Sequence, residues 1–132
     1  MKTKRRTMVS PKRRAAVNEF LRRIYTQYPE QILAARLFGS VARGDFDSDS
    51  DVDVLVIIAE RDWRLEDELL GVAARVSLEY NVVLDPRIYS RALWEQLRAK
   101  GRALYRNIER EGIALKLPPR RRATPALAVQ SP

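Results

Sequence analysis

The chain has 132 residues, a length that fits one domain around a single hydrophobic core. Hydrophobic residues make up 45% of it and charged residues 32%, a balance typical of a globular domain with a heavily ionised surface. It contains no cysteine and no histidine, so disulfides, thiolate zinc sites and imidazole catalysis are excluded. Any bound metal must use oxygen ligands, which favours a hard cation such as Mg²⁺.

No segment approaches the roughly 20 uninterrupted apolar residues of a membrane span, and no apolar run follows the charged N-terminus. These features predict a protein of the cytoplasm that does not enter a membrane.

The net charge of +8 is unevenly distributed along the chain. Every charged residue in 1–14 and in 116–132 is basic, and these ends carry +11, which leaves −3 for residues 15–115. Residues 1–9 are interpreted as a basic flank, and residues 118–132 as a disordered, proline-rich tail. The basic ends either bind nucleic acid or act only as solvated tails, and the charge pattern leaves both interpretations open.

The first half of the predicted domain contains one helix and two strands. Ser10-Pro11 is typical of an N-cap followed by proline at the first helical position, and apolar residues then recur at helical spacing over about 11–28. Two apolar segments, Ile32–Phe38 and Val52–Ala59, predict strands, and the second has the composition of a buried central strand.

A second long helix is predicted to begin after Asp62, which can cap it, and Trp63 at its start is interpreted as a packing residue. The segment Val82–Leu84 predicts a third strand. We expect this strand to end at Asp85-Pro86, because proline and the residue before it are restricted in conformation.

The remaining pattern predicts two short helices and an extended segment. Ser90 caps the first helix, Gly101 separates it from the second, and Gly112 ends the second. Ile113–Leu117 is predicted to be extended. Alternating strands and helices of this kind predict a layered α/β domain with a small, mixed sheet.

Acidic residues are concentrated before the central strand, where positions 45–53 hold five of the 17 acids. Asp51 and Asp53 flank Val52 at the start of that strand, so the period of two directs both carboxylates to the same side. Carboxylates this close repel one another unless a cation or solvent compensates them. The two aspartates are therefore candidate metal ligands.

A glycine turn is predicted between the first two strands. Gly39 allows a sharp turn and a close approach of the backbone to a ligand, and the residues from Ser40 onward can open a helix whose N-terminus attracts phosphate. Arg43 has two open interpretations: it binds phosphate, or it pairs with the acidic loop. A predicted anion site thus faces a predicted cation site, as a metal–triphosphate complex requires.

Gly39-Ser40, ten residues, then Asp51-Val52-Asp53 resembles the G-S-x(10)-D-x-D signature of the DNA polymerase β-like nucleotidyltransferase superfamily. The surrounding LFGSVARG and SDVDVLV resemble the minimal nucleotidyltransferases in particular. The resemblance covers about residues 15–117 of a predicted domain at 10–117. It implies the nucleotidyltransferase fold, a small mixed β-sheet flanked by helices.

The resemblance also implies roles for individual residues. Ser40 and nearby amides would hold the β- and γ-phosphates of an NTP. Asp51 and Asp53 would ligate Mg²⁺, with two ions expected. Asp85 is the candidate for a third, metal-binding and proton-accepting carboxylate, although Val83 occupies another position where that acid could be expected.

Minimal nucleotidyltransferases resemble the antitoxins of two-gene modules whose partner is a helical HEPN ribonuclease. The resemblance therefore implies transfer of AMP from ATP to a hydroxyl of a HEPN-type partner. One alternative is a non-catalytic module that neutralises its partner by contact. Another is that the basic ends bind nucleic acid and an RNA end is the acceptor, although the flanks lack the aromatic residues common at single-strand sites.

Overall fold

The computed structural model describes residues 10–44 and 50–118, apart from the side chain of Ser40. The predicted basic flank at 1–9 and the predicted disordered tail at 118–132 lie outside the described residues, except for Pro118. The helices are α1 (Pro11–Gln27), α2 (Gly39–Arg43), α3 (Trp63–Tyr80), α4 (Arg91–Ala99) and α5 (Ala103–Glu111), and the strands are β1 (Ile32–Phe38), β2 (Val52–Ile58), β3 (Leu84–Ser90) and β4 (Ile113–Leu115).

The strands form one sheet in the order β3-β2-β1-β4. Strand β1 is antiparallel to β2 and to β4, whereas β2 and β3 are parallel. The predicted small, mixed sheet with flanking helices is confirmed. Helix α3 provides the crossover that a parallel pair requires, since it connects β2 to β3.

Helix α1 begins as predicted. The Ser10 hydroxyl accepts a hydrogen bond from the Arg13 amide at 3.1 Å. Pro11 lies in the first turn, where a backbone amide has no hydrogen-bond acceptor within the helix, so the missing N–H of proline costs nothing. Its apolar side packs into the core through Ala16, Val17, Phe20, Leu21 and Ile24.

The sheet is covered by different elements on its two faces. Val52, Val54, Val56 and Ile58 of β2 belong to the main core, which also contains the buried residues of α1 and α3. Leu55 and Ile57 point to the opposite face, where Ile108 of α5 packs against them. This burial on both faces explains why β2 reads as a continuous apolar run.

The predicted bounds of the third strand are wrong. Strand β3 spans Leu84–Ser90 and continues through Asp85-Pro86 instead of ending there. It lies at the edge of the sheet, with β2 as its neighbour. An edge strand tolerates proline because its outer side needs no amide donor.

Helix α3 begins as predicted, since the Asp62 carboxylate accepts hydrogen bonds from the amides of Arg64 and Leu65. It ends at Asn81, whose φ of 54° is the left-handed conformation common after helices. The interpretation of Trp63 is wrong: its side chain is 69% exposed, because it lies on the side of the helix that faces away from the core.

The last two helices also begin and end as predicted. Ser90 caps α4, accepting from the Leu93 amide at 3.1 Å, and Gly101 follows with a positive φ of 59°.

Within the part of the chain that the structure describes, no helix is long and apolar enough to cross a membrane.

Candidate active site

The end of β1 and the starts of β2 and β3 meet at one edge of the sheet. Phe38 lies opposite Asp53 in the antiparallel pair, and Asp53 lies beside Asp85 in the parallel pair. Gly39 follows Phe38 directly. The register therefore brings the glycine turn and two of the three predicted carboxylates to the same place.

The backbone at Gly39 lies against the Asp53 carboxylate. Gly39 has a positive φ of 82°, and a Cβ built on it would collide with Oδ2 of Asp53. A side chain at this position would thus meet both an unfavourable backbone conformation and a steric clash. The group that the backbone at Gly39 approaches in the structure is Asp53, and the predicted close approach to a ligand stays a prediction.

Asp53 is half-buried, and its surroundings raise its pKa from 3.8 to about 6. Burial is the largest cause, because removing a carboxylate from water disfavours its charged form. The charge of Asp85 and a hydrogen bond with the Asp85 carboxyl raise the pKa further, and the charge of Asp51 adds to this, while Arg87 opposes it. Burial and the two acidic neighbours therefore disfavour the charged form of Asp53.

Asp85 lies beside Asp53, and Arg87 forms an ion pair with Asp85. Nη2 of Arg87 lies 3.5 Å from Oδ2 of Asp85. Sequence reasoning missed Arg87 because it placed the end of the strand at Pro86. The alternation of an extended strand would have found it, since positions 85 and 87 share one side.

Asp51 is exposed and lies just before β2. The Val52 amide donates to the Val83 carbonyl at 2.8 Å, so Val83 lies level with the start of β2 while Asp85 lies level with Asp53. Among residues 10–44 and 50–118, no three aspartate or glutamate side chains are grouped so as to hold a metal ion. The strand register places Asp53 beside Asp85, and Asp51 is close enough for its charge to raise the pKa of Asp53.

Arg43 ends the short helix α2, and its Nη1 lies 3.6 Å from Oε1 of Glu111 at the end of α5. The acidic loop at 45–49 and the side chain of Ser40 lie outside the described residues. The two interpretations of Arg43, as a phosphate ligand or as a partner of that loop, both remain predictions.

A further residue supports the start of β2. Arg13 is buried although it belongs to the basic N-terminal region, and its Nη2 donates to the Ser50 carbonyl at 3.3 Å. This contact ties the first turn of α1 to the residue before Asp51. Arg13 is therefore a structural residue, which the charge count alone grouped with the solvated flank.

Comparison with known proteins establishes the class of protein to which this chain belongs. The family model described as "Nucleotidyltransferase domain" matches residues 17–115. The chain belongs to this family and is a nucleotidyltransferase. The resemblance to the minimal nucleotidyltransferases is confirmed.

Two curated relatives come from Methanocaldococcus jannaschii. "Putative protein adenylyltransferase MJ0141" is 37% identical over 78 residues, which are 58% of this chain and 79% of the relative. "Putative protein adenylyltransferase MJ0604" is 31% identical over 100 residues, 76% of this chain and 94% of the relative. A crystal structure described as a toxin-antitoxin with AMP-PNP shares the fold, with a TM-score of 0.50 and 19% identity over 86% of this chain and 82% of that one.

Proposed function

We propose that this nucleotidyltransferase moves AMP from ATP onto a hydroxyl group of a partner protein, with Mg²⁺, in the cytoplasm. The observation that carries the proposal is the meeting of Asp53 and Asp85 beside the Gly39 turn. The names of the two M. jannaschii relatives support a protein as the acceptor and an adenylyl group as the group that is transferred.

The carboxylates at this edge fit a hard cation. Burial and the neighbouring carboxyl group of Asp85 raise the pKa of Asp53, and a bound cation would favour its charged form. Asp51 and Asp53 would hold Mg²⁺, and Asp85, which the strand register places beside Asp53, would complete the set for two ions. Bound there, Mg²⁺ supplies positive charge to the triphosphate and to the attacking oxygen.

The proposed roles of the chain's own groups follow from their positions. The backbone amides at Gly39 and Ser40, together with Arg43, bind the phosphates and orient the α-phosphorus towards the carboxylates. The acceptor oxygen forms a bond to that phosphorus, and the bond from the phosphorus to the pyrophosphate oxygen breaks. Asp85 accepts the proton of the acceptor hydroxyl, because the chain has no histidine to do so.

The proposed partner is a HEPN-type toxin, which this chain neutralises as its antitoxin. Support comes from the resemblance to the minimal nucleotidyltransferases. The toxin-antitoxin structure that shares the fold contains AMP-PNP, an ATP analogue, which agrees with ATP as the donor.

Intact-mass spectrometry tests the proposal. The candidate acceptor is the protein encoded by the gene next to this one, incubated with this chain, ATP and Mg²⁺. We expect one or more added adenylyl groups, and none when EDTA replaces Mg²⁺. Repeating the reaction with GTP, CTP and UTP tests the choice of ATP, and equal transfer from all four would contradict it.

A second candidate function is a non-catalytic module that neutralises its partner by contact. The observation in its favour is that no three acidic side chains among residues 10–44 and 50–118 are grouped so as to hold a metal ion. Neutralisation of the toxin without any change in its mass, both with and without ATP, would select this function over transfer.

A further inference from the structure

Helix α3 has two apolar sides, and only one of them faces the core. Its outer side carries Trp63, Leu70, Ala74 and Leu78, all exposed, which we term the outer stripe. At about 100° per residue these positions lie opposite the buried side of the helix. The buried side consists of Leu65, Leu69, Val72, Ala73 and Val76.

The exposure of the outer stripe is large for apolar side chains. Leu78 is 84% exposed, Trp63 69% and Leu70 46%. These three are half of the six large hydrophobic residues found exposed among residues 10–44 and 50–118. Single exposed apolar residues are ordinary, but a row of them along one helix is typical of a surface that binds another protein.

The charges on one flank of the outer stripe alternate in sign along the helix. Arg64 and Glu68 lie in the first half of the helix and Arg75 and Glu79 in the second, and all four are exposed. Glu68 and Arg75 lie at equal distances on either side of the helix midpoint, about 5 Å from it along the axis. They also project from the same flank of the stripe, because they are seven residues apart.

This pattern is complementary to itself when two copies of α3 pack antiparallel. Glu68 of each copy then faces Arg75 of the other, which makes two equivalent ion pairs. Trp63 of each copy lies over Leu78 of the other, which buries the most exposed apolar side chains. In a parallel two-fold arrangement the Glu68 and Arg75 side chains of the two copies would instead lie on opposite sides of the seam, so neither ion pair would form.

We propose that the outer stripe is a homodimer interface, on which α3 of a second copy packs antiparallel about a two-fold axis. A two-fold interface uses the same surface of both subunits, as this arrangement does. The proposal is independent of nucleotide transfer, since the surface that carries it contains none of the residues assigned to the reaction.

Sedimentation velocity of the full chain, without nucleotide and over a range of protein concentrations, tests the proposal. We expect a monomer–dimer equilibrium in the wild type and a monomer in Leu78→Lys. The matched control is Leu93→Lys, because Leu93 is also an exposed leucine, 40% exposed, but on α4. We expect this control to dimerise like the wild type, and circular dichroism checks that both variants fold.

Exchanging the charges distinguishes this geometry from general hydrophobic association. We expect Glu68→Arg and Arg75→Glu each to weaken dimerisation about tenfold or more, because each places like charges together. The double variant should dimerise more tightly than either single variant, since it restores opposite charges across the axis.

Three results would overturn the proposal. They are a monomeric wild type at the highest concentration, unchanged dimerisation of Leu78→Lys, and a double variant no tighter than the single ones. A monomeric wild type would leave the outer stripe to a different protein. None of these results affects the proposed transfer reaction, which is measured with ATP and an acceptor.

Discussion

Gly39 and Asp53 lie in such close contact that a methyl group on the glycine would collide with the carboxylate of the aspartate. We therefore predict that Gly39→Ala lowers the free energy of unfolding by at least about 1–2 kcal/mol, the cost of a left-handed conformation in a residue with a Cβ. NTP binding should weaken as well, because the carboxylate must move. Urea unfolding and calorimetry measure the two effects.

Gly71→Ala is the matched control for this prediction. Gly71 lies within α3, and a Cβ there would have Arg75 Nη1 as its nearest neighbour, at 3.6 Å, which is ordinary contact. Alanine is favoured over glycine inside a helix by up to about 1 kcal/mol, so this variant should unfold at higher urea concentration when measured in dilute solution. Equal losses in both variants would show that the contact with Asp53 is unimportant.

The second prediction concerns metal-dependent nucleotide binding. If the aspartates hold Mg²⁺, calorimetry should show tight NTP binding only with the divalent cation present. Asp53→Asn should abolish that dependence, because it removes the charge while keeping the shape of the side chain. Equal affinity of the wild type with and without Mg²⁺ would contradict the metal site.

The third prediction concerns the pH dependence of stability without metal. Because the pKa of Asp53 is raised from 3.8 to about 6, the folded state keeps a proton that the unfolded state releases. This contribution to stability is fully present below pH 3.8 and is lost as the pH rises through about 6.

Thermal unfolding in EDTA checks this sign. Asp53→Asn should melt at a higher temperature than the wild type at about pH 7.5 and at a similar temperature at about pH 4. Arg87→Gln should move the wild-type transition to higher pH, since the charge of Arg87 lowers the pKa of Asp53. A transition that moves to lower pH in this variant would show that the assigned electrostatics are wrong.

The fourth prediction separates transfer from nucleotide binding. Asp85→Asn should retain Mg²⁺–NTP binding, which depends mainly on Gly39, Ser40, Asp51 and Asp53. It should lose AMP transfer to the partner by about 100-fold or more, the usual weight of general-base catalysis. Intact-mass spectrometry of the partner over time gives the rate. Unchanged transfer would remove Asp85 from the proposed site.

The fifth prediction concerns the basic ends. Deleting residues 1–9 and 119–132 should leave the fold and NTP binding intact, because their basic or proline-rich composition predicts solvated flanks. Any binding to nucleic acid that weakens with salt should disappear with them. A large drop in melting temperature would show that these ends are structural.

Local sequence patterns were sufficient to predict most of the helices and strands. Ser10 and Asp62 marked helix starts because capping is a contact between neighbours in sequence. The rule that failed was also local: Pro86 restricts the chain, but whether a strand tolerates it depends on its place at the edge of the sheet. The interpretation of Trp63 was wrong because it rested on the usual packing role of tryptophan, whereas residue 63 lies on the opposite side of the helix from the buried residues.

The amino-acid sequence by itself determined the type of chemistry. The absence of histidine and cysteine limits metal ligands to oxygen, and the spacing from Gly39 to Asp51 and Asp53 identifies the superfamily. Only the tertiary structure decided that Asp85, and not Val83, lies beside Asp53, and that Arg87 accompanies it. The physical reason is that strand register and desolvation are set by contacts between residues distant in sequence, so the raised pKa of Asp53 exists only once β2 and β3 have paired.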